Sequence, residues 1–305
     1  MVFMKGRRVL VTGMGGELGS LVASMAERTE WAGDILGFDV DPPRRNLQRS
    51  RFVRVGATDV DRITELVAGF NPHVILHVGV WEPHARLTTD QAEECTESVA
   101  KAVFQAAHAA AALETAVVRS GIEMYGAGTY TPHIAVESTP VAPTTTYGRM
   151  CATIEQQATD LRISKGVNVC TLRLAPVLGA HVPSPLGRIL RLPVVPYHGL
   201  YNPAFSVVED HDAAQAFMLG AERNADGVVN IVANGAISML RAITIGRRMP
   251  VPAFGPGWWL ARNMSNVAGA PIPDHVTELL EKGRLAASNE AAQDRKSTRL
   301  NSSHT

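Results

Sequence analysis

The sequence lacks the features that mark a disulfide scaffold, a zinc site or a strongly charged binding surface. Its three cysteines are an odd number with no C-x-x-C spacing, which favours free thiols in a reducing compartment. Lysine plus arginine and aspartate plus glutamate both total 29, so the formal net charge of zero gives no long-range attraction to nucleic acid or anionic lipid. His73 and His77 flank a predicted strand and would lie roughly 13 Å apart, too far to share a metal.

Long hydrophobic runs and targeting segments are also missing. The apolar run that starts at Val9 soon ends at a glycine turn, whereas about 20 apolar residues are needed to cross a bilayer. These absences predict a cytoplasmic protein with no membrane partner, no nucleic-acid partner and no bound metal. The polar stretch from Asp294 to Thr305 lacks periodicity, and we expect it to be a non-native tail.

What the sequence does contain is an alternation of β-branched runs with helical patterns, which is typical of an α/β protein with a doubly wound parallel sheet. The predicted strands are Arg8–Thr12, Ile35–Asp39, Phe52–Val55, Val74–Val78, Ala116–Ser120, Val169–Leu174, Ala204–Val208 and Val228–Val232. The predicted helices are Leu18–Glu27, Val60–Ala68, Gln91–Ala112, Tyr147–Lys165 and Asp210–Ala221.

Proline and glycine become frequent after Pro176, which indicates a change of organisation. We therefore predict a dinucleotide-binding domain over residues 1–180 and a smaller substrate lobe over 181–293, with strands that return to the main fold. The tail covers 294–305. Substrate side chains are expected from Leu178–Tyr201 and Pro250–Gly269. Trp258 and Trp259 could either line the substrate pocket or fill the core of the lobe.

A glycine-rich turn follows the first predicted strand and opens the first predicted helix. The segment from Thr12 to Gly19 has the T-G-x-x-G-x-x-G spacing. Its first glycine permits a tight turn, its second lets a pyrophosphate approach the backbone, and its third lets helix and strand pack closely. The free N–H groups of the helix N-terminus attract phosphate. The motif predicts a Rossmann-type fold that binds a dinucleotide through Gly13, Gly16, Glu17, Leu18 and Gly19.

An acidic residue, Asp39, ends the second predicted strand about 20 residues beyond the last glycine, where a carboxylate accepts from the adenosine ribose hydroxyls. The same carboxylate would repel a 2′-phosphate, so NAD is favoured over NADP. Arginines that follow could instead bind such a phosphate. We favour a solvated loop for these arginines, which are Arg44, Arg45, Arg49 and Arg51.

With these features the chain resembles the extended short-chain dehydrogenase/reductase superfamily, in particular its NAD-dependent epimerase/dehydratase branch, over roughly residues 6 to 245. Leu172–Gly179 is similar to the L-R-x-x-N-V-x-G segment of that family, Ser206–Asp210 to its stretch ending in Asp before a helix, and Gly227–Ile231 to its G-x-x-N-I strand. Asp59 looks like the adenine-contacting aspartate. The resemblance implies further cofactor contacts from Asp59, Val60, Val78, Gly79, Val80 and Pro176.

The catalytic pattern of the family is only partly present. The resemblance implies a Ser or Thr, a Tyr, and a Lys four residues after the Tyr, which together move a proton while a hydride moves to or from the nicotinamide. Tyr147 falls on the catalytic tyrosine, but the lysine position is Cys151 and the Ser/Thr position is Gly121. Ser120, which directly precedes Gly121, is the candidate to supply the missing hydroxyl. Arg149 is a candidate cation, although side chains two apart on a helix diverge.

Each of these residues has an alternative role. Tyr147 could simply cap a core helix, and Cys151 could be either a reactive thiol or a small buried hydrophobe, of which we favour the latter. Glu123 occupies the position of the glutamate that a dehydratase would use. Its neighbour Ile122 replaces the expected aspartate and so argues against that reaction.

Three functions remain open from the sequence. The first, which we favour, is an atypical NAD-dependent oxidoreductase or epimerase that acts on a nucleotide-sugar or a related alcohol or ketone. The second is a catalytically degenerate NAD(H)-binding regulatory or interaction module. The third is a non-hydride reaction with unrelated residues. By resemblance we also expect a homodimer through the helices Gln91–Ala112 and Tyr147–Lys165, which a concentration-independent monomer in sedimentation at micromolar protein would rule out.

Overall fold

The computed structural model describes residues 6–83, 87–128, 133–255, 257 and 272–288. Within these ranges, seven parallel strands form one sheet. They are β1 (Arg7–Thr12), β2 (Ala32–Asp39), β3 (Arg51–Arg54), β4 (Val74–His77), β5 (Thr115–Gly121), β7 (Asn168–Leu174) and β12 (Gly227–Ile231). The short strands are β6 (Ile134–Ala135), β8 (Val177–Leu178), β9 (Val194–His198), β10 (Ala204–Phe205), β11 (Val208–Glu209), β13 (Ile237–Ser238), β14 (Met249–Ala253) and β15 (Leu285–Ala286).

Helices connect the strands of the sheet and build the smaller lobe. They are α1 (Glu17–Ala26), α2 (Val60–Phe70), α3 (Thr89–Ala109), α4 (Thr146–Lys165), α5 (Pro185–Arg191), α6 (Asp210–Glu222), α7 (Met239–Ile245) and α8 (Asp274–Lys282). A 3₁₀ turn over Ile122–Tyr125 follows β5. No helix in the described ranges combines the length and apolarity needed to span a bilayer.

The sheet has the strand order β12-β7-β5-β4-β1-β2-β3. The chain winds outward from β1 in one direction through β2 and β3, and then returns to the other side of β1 at β4. This reversal leaves a crevice at the carboxyl ends of β1 and β4, which is where open α/β sheets bind ligands. The predicted Rossmann-type fold is confirmed.

Helices cover both faces of the sheet. Helices α1 and α6 pack on one face around Val11 and Phe217, which are fully buried. Helices α2, α3 and α4 pack on the other face around Val103 and Ile154. Both faces of the strands are therefore apolar, as a parallel sheet requires. Helices α3 and α4 lie side by side, and the homodimer through them stays a prediction.

The second lobe has a core of its own, built from α5, β9, α7 and α8 around Leu186, Val195, Ile243 and Leu279. The segment from β11 to β12 belongs instead to the main body, because α6 packs on α1 and β12 pairs with β7. Strand β12, from beyond residue 180, thus belongs to the sheet, and the division into domains stays a prediction. Trp258, Trp259 and the tail over 294–305 lie outside the described residues.

One predicted strand, Ala204–Val208, is divided in the structure. Its first half, β10, pairs antiparallel with β13, and its second half, β11, pairs parallel with β8. Because the two halves have different partners, the chain cannot continue as one extended strand. One continuous strand and two short strands with different partners would show the same sequence pattern, so the division could not be predicted from periodicity.

A buried histidine at the end of β4 makes stability depend on pH. His77 is 0% exposed, and its Nδ1 lies 3.0 Å from Oγ1 of Thr12. Burial, with Arg119 nearby, lowers the pKa of His77 from 6.5 to about 4. Between these values the unfolded chain binds a proton that the folded protein does not, so stability falls as pH falls from 6.5 to 4. The loss is about 3 kcal/mol.

Urea unfolding of the wild type and of His77→Gln at several pH values tests this expectation. The free energy of unfolding of the wild type should fall by about 3 kcal/mol more than that of the variant over this pH range. His211→Gln, at an exposed position, is the matched control and should follow the wild type. If the free energy of unfolding depended on pH in the same way for the wild type and His77→Gln, the prediction would be contradicted.

Candidate functional site

The glycine turn after β1 is fixed by close backbone packing. Gly13 has a φ of +70°, in the left-handed region, and a Cβ there would overlap the backbone of Gly79 at the end of β4. A Cβ at Gly19 would overlap the carbonyl of Gly13. These two glycines therefore bring β1, β4 and α1 together, as the sequence motif predicts.

Gly16 differs from these glycines because nothing in the protein requires it to lack a side chain. It is exposed at the N-cap of α1, and a Cβ there would meet only the carbonyl oxygen of Gly13, at 3.4 Å. The helix has no side-chain cap at this end. Its first N–H groups are thus available to an anion, and Gly16 leaves room for that anion to approach.

Asp39 lies beside this helix end. Its Oδ2 accepts from the Gly15 amide at 3.0 Å and its Oδ1 accepts from the Val40 amide at 2.6 Å. Burial raises the pKa of Asp39, and the backbone hydrogen bonds oppose that rise. The carboxylate is held at the end of β2 with lone pairs left for ribose hydroxyls.

The arginines after Asp39 are on a largely exposed loop, but two of them make defined contacts. Arg45 forms an ion pair of 2.8 Å with Glu17, and Arg49 donates to the carbonyls of Glu27 and Ala32 at 2.7 Å. Arg44 is exposed and lines the cavity described below. Of the loop arginines, Arg44 is therefore the one placed to meet a ligand.

One cavity of about 440 Å³ extends from the glycine turn to the second lobe. The glycine turn and the ends of β2 and β4 line one part of it. The other part is lined by Arg119, Glu123, Tyr147, the segment Leu174–Val177, the segment Val182–Leu186, Arg188, His275, Val276 and Leu279. The dinucleotide motif and the predicted catalytic tyrosine thus share one space.

Tyr147, in the first turn of α4, is 6% exposed and forms a small cluster with Met124, Met150 and Cys151. Its ring stacks on His275 with a centroid separation of 4.7 Å. Its hydroxyl lies 3.3 Å from Nη2 of Arg119. The ring packs in the core, as the capping alternative expects, while the hydroxyl lies beside a cation, and both Tyr147 and Arg119 line the cavity.

Electrostatics keep this tyrosine protonated at neutral pH. Burial raises the pKa of Tyr147 well above its ordinary value, while the Arg119 guanidinium opposes the rise. Arg119 is itself paired with Glu82 at 3.1 Å. The resting state is therefore a phenol that can donate its proton, next to a charge that can stabilise the phenolate once the proton has left.

A carboxylate fills the space of the missing Ser/Thr side chain. A Cβ at Gly121 would overlap Oε2 of Glu123 and would lie 3.2 Å from Cε1 of Tyr147. Glu123 is 4% exposed, and its Oε1 lies 3.8 Å from Nη1 of Arg284. The polar group beside the Tyr147 ring is thus a buried carboxylate instead of a hydroxyl.

The model of the NAD dependent epimerase/dehydratase family matches residues 9–232, a span that contains nearly all of the sheet, the glycine turn and Tyr147. The chain belongs to the NAD dependent epimerase/dehydratase family. An uncharacterised protein of Mycobacterium tuberculosis (strain H37Rv) is 25% identical over 279 residues, which cover 89% of this chain and 72% of that protein.

Solved structures resemble this family member along nearly its whole length. UDP-glucose 4-epimerase from Thermotoga maritima with UDP-glucose superposes with a TM-score of 0.73 at 15% identity, covering 94% of this chain and 91% of that one. UDP-glucose 4-epimerase from Brucella ovis in complex with NAD gives a TM-score of 0.68 at 18% identity, covering 91% of this chain and 98% of that one. At such identities the likeness establishes the fold.

The cavity of this epimerase/dehydratase family member includes most of the predicted cofactor residues. Those on its wall are Gly13, Gly16, Glu17, Leu18, Gly19, Asp39, Val78, Gly79, Val80 and Pro176. Asp59 and Val60 are not on this wall. Asp59 caps α2 by accepting from the Arg62 amide at 3.2 Å, so its adenine contact stays a prediction.

The structure does not bring the two predicted substitutes, Ser120 and Arg149, to the cavity. Successive side chains of a strand point to opposite faces, so Ser120 points to the face opposite that of Arg119 and Gly121. Its hydroxyl donates to Glu155 at 2.5 Å, and Glu155 is paired with Arg173 at 2.8 Å. Arg149 is exposed and contacts Thr146. Arg119 and Glu123 line the cavity instead, and the catalytic role of Ser120 stays a prediction.

Cys151 has the environment of a small buried hydrophobe. It is 0% exposed within the cluster around Tyr147, and burial raises the pKa of its thiol. A protonated, inaccessible thiol is a poor nucleophile. This environment matches the alternative that we favoured from the sequence.

Several residues that line the cavity were not predicted from the sequence. Arg119 shares a strand face with Gly121, so the two-residue period of β5 could have identified it. Glu82, Arg188 and His275 lie in segments without a recognisable motif. Their approach to Tyr147 and Arg119 depends on how the second lobe and the loop after β4 fold back over the sheet.

Proposed function

We propose that this protein binds NAD(H) and interconverts an alcohol and a ketone on a nucleotide-sugar, with Tyr147 as the group that exchanges a proton with the substrate oxygen. The observation that carries the proposal is that the glycine turn and Tyr147 line one and the same cavity. A cofactor on the glycine turn and a substrate beside Tyr147 would meet within that cavity.

The residues present fit a dinucleotide. The N-terminus of α1 at Gly16 would hold the pyrophosphate, and Asp39 would accept from the adenosine ribose hydroxyls. The glycines Gly13 and Gly79 would let the ligand lie close to the sheet. When bound, NAD supplies or accepts the hydride.

Tyr147 would carry the proton. In the reducing direction its O–H bond breaks and the proton goes to the substrate carbonyl oxygen as the carbonyl carbon receives a hydride. In the oxidising direction the phenolate takes the proton of the substrate hydroxyl. Arg119, 3.3 Å from the phenol oxygen, would balance the charge of the phenolate.

The nucleotide-sugar class is supported by the second lobe. Arg188 of α5 lies on the cavity wall, and burial lowers the pKa of its guanidinium. A partly buried cation gains from an anionic ligand, and a diphosphate would pair with it. The solved epimerase from Thermotoga maritima, similar in fold, contains UDP-glucose.

Calorimetric titration of NAD⁺, NADH, NADP⁺ and NADPH tests the cofactor assignment. We expect the NAD forms to bind more tightly, and Asp39→Asn to weaken NAD⁺ binding by about 10- to 100-fold, because hydrogen bonds to a charged carboxylate contribute about 1.5–3 kcal/mol. Asp41→Asn removes the same charge nearby on the cavity wall and should change NAD⁺ affinity far less. Absence of binding by all four dinucleotides would refute the proposal.

Turnover is then assayed with a set of sugar nucleotides. Conversion of a substrate by the wild type, seen as a change in nicotinamide absorbance or in sugar stereochemistry, would support the proposed enzymatic function. Tight NAD(H) binding without any conversion would instead support the regulatory or interaction module.

A further inference from the structure

The hydroxyl of Tyr147 is in a place where a phenol is hard to ionise. It is buried, and a cation beside it is the ordinary way to stabilise the phenolate. Helix α4 does not provide one, because the residue one turn later is the uncharged and fully buried Cys151.

A cation reaches this hydroxyl from β5. A single nitrogen of Arg119, Nη2, lies 3.3 Å from the oxygen of Tyr147 and 3.1 Å from Oε1 of Glu82. That nitrogen carries two hydrogens, one for each acceptor. The Arg119 side chain is 15% exposed and the Glu82 side chain 19%, so this pair is poorly screened by solvent.

The direction of the contact determines where the phenol proton points. A guanidinium has donors and no acceptor, so the Tyr147 oxygen must accept from Arg119. The proton of Tyr147 therefore points away from Arg119. Because Tyr147 lines the cavity, a substrate oxygen bound beside the phenol would be the acceptor of that proton.

We propose that Arg119 is the positioning residue of this site, which holds a charge at the Tyr147 oxygen and turns the phenol proton toward the substrate. This role rests on the proposed function, in which Tyr147 exchanges that proton. Glu82 holds the guanidinium in place and partly neutralises it.

Other charged and titratable groups also face Tyr147. They come from the loop after β4, the 3₁₀ turn, α4 and α8, and they are Glu82, Glu123, Cys151 and His275. Burial is the main cause that raises the pKa of Tyr147, and Cys151, Glu82 and Glu123 add to it, whereas Arg119 lowers it. Removal of Arg119 should therefore raise the pKa of Tyr147, and removal of the Glu82 charge should lower it.

The test follows the ionisation of residue 147 in the full-length protein without cofactor. A fluorinated tyrosine, whose phenol ionises at lower pH than tyrosine, replaces Tyr147, and its ¹⁹F chemical shift is recorded across pH. We expect Arg119→Met to raise the midpoint by about one to three pH units, Arg119→Lys to restore most of that shift, and Glu82→Gln to lower the midpoint.

Arg188→Met is the matched control, since it removes the same charge from the same cavity but contacts the Pro83 carbonyl instead of Tyr147. An unchanged midpoint in Arg119→Met, or an equal shift in Arg188→Met, would overturn the proposal. If Arg119→Met fails to fold, the double variant Arg119→Met with Glu82→Gln leaves no unpaired charge. Its midpoint should still rise, and an unchanged or lowered midpoint there also overturns the role.

The titration requires neither NAD nor turnover, so its outcome is independent of the proposed function. If the midpoint shifts but the protein binds no dinucleotide, Arg119 acts on Tyr147 and the proposed enzymatic function is wrong. If the midpoint does not shift but the protein is an active enzyme, the role proposed for Arg119 is wrong and the proposed function stands.

Discussion

Tyr147→Phe is expected to reduce kcat by about 10²- to 10⁴-fold while leaving the affinity for NAD unchanged, because general acid–base catalysis contributes an acceleration of that size. The substitution removes one oxygen from a residue whose ring remains stacked on His275. Arg119 keeps its ion pair with Glu82, so no buried charge is left alone. The loss should therefore appear in the chemical step and not in folding or cofactor binding.

Tyr125→Phe is the matched control for this prediction. The Tyr125 hydroxyl is also buried, but it bonds to Asn230 at 2.7 Å and to Arg173 at 3.1 Å, and the residue does not line the large cavity. Its loss should lower the free energy of unfolding by about 1–3 kcal/mol and leave kcat near that of the wild type. Full activity in Tyr147→Phe would exclude Tyr147 as the proton-transferring group.

Gly16→Ala is expected to weaken dinucleotide binding by about 100-fold or more, because a methyl group would push the pyrophosphate away from the N–H groups of α1. Losing two charge-assisted hydrogen bonds of about 1.5 kcal/mol each gives a reduction of this size. In the protein itself the new Cβ meets only the Gly13 carbonyl oxygen at 3.4 Å. Stability should fall by no more than about 1 kcal/mol, the cost of alanine at a helix N-cap.

Gly69→Ala provides the comparison for this variant. Gly69 is an exposed residue inside α2, and a Cβ there has nothing within 4 Å. Alanine should stabilise the helix by about 0.5–1 kcal/mol without any change in NAD affinity. Calorimetric titration and urea unfolding of both variants separate binding from stability. Wild-type NAD affinity in Gly16→Ala would contradict the placement of the pyrophosphate.

Much of the fold could be predicted because its signals are local. The strands and helices of the main sheet lie within a few residues of their predicted bounds, since periodicity and turn residues act over short stretches of chain. The second lobe was poorly predicted. Its elements α5, β9, α7 and β14 are short, and all of them except α7 contain proline. They are held together by a core drawn from distant segments such as α8.

The sequence by itself determined the Rossmann-type fold, the glycine turn and the acidic residue at the end of β2. The reason is physical: Gly13 and Gly19 are required by backbone geometry within one strand–turn–helix unit, and Asp39 follows at a fixed spacing. Only the tertiary structure decided which groups surround Tyr147. Arg119 of β5 contacts the Tyr147 hydroxyl, Glu123 fills the space beside Gly121, and Ser120 contacts Glu155. These contacts depend on the face of a strand and on chain segments that meet only after folding.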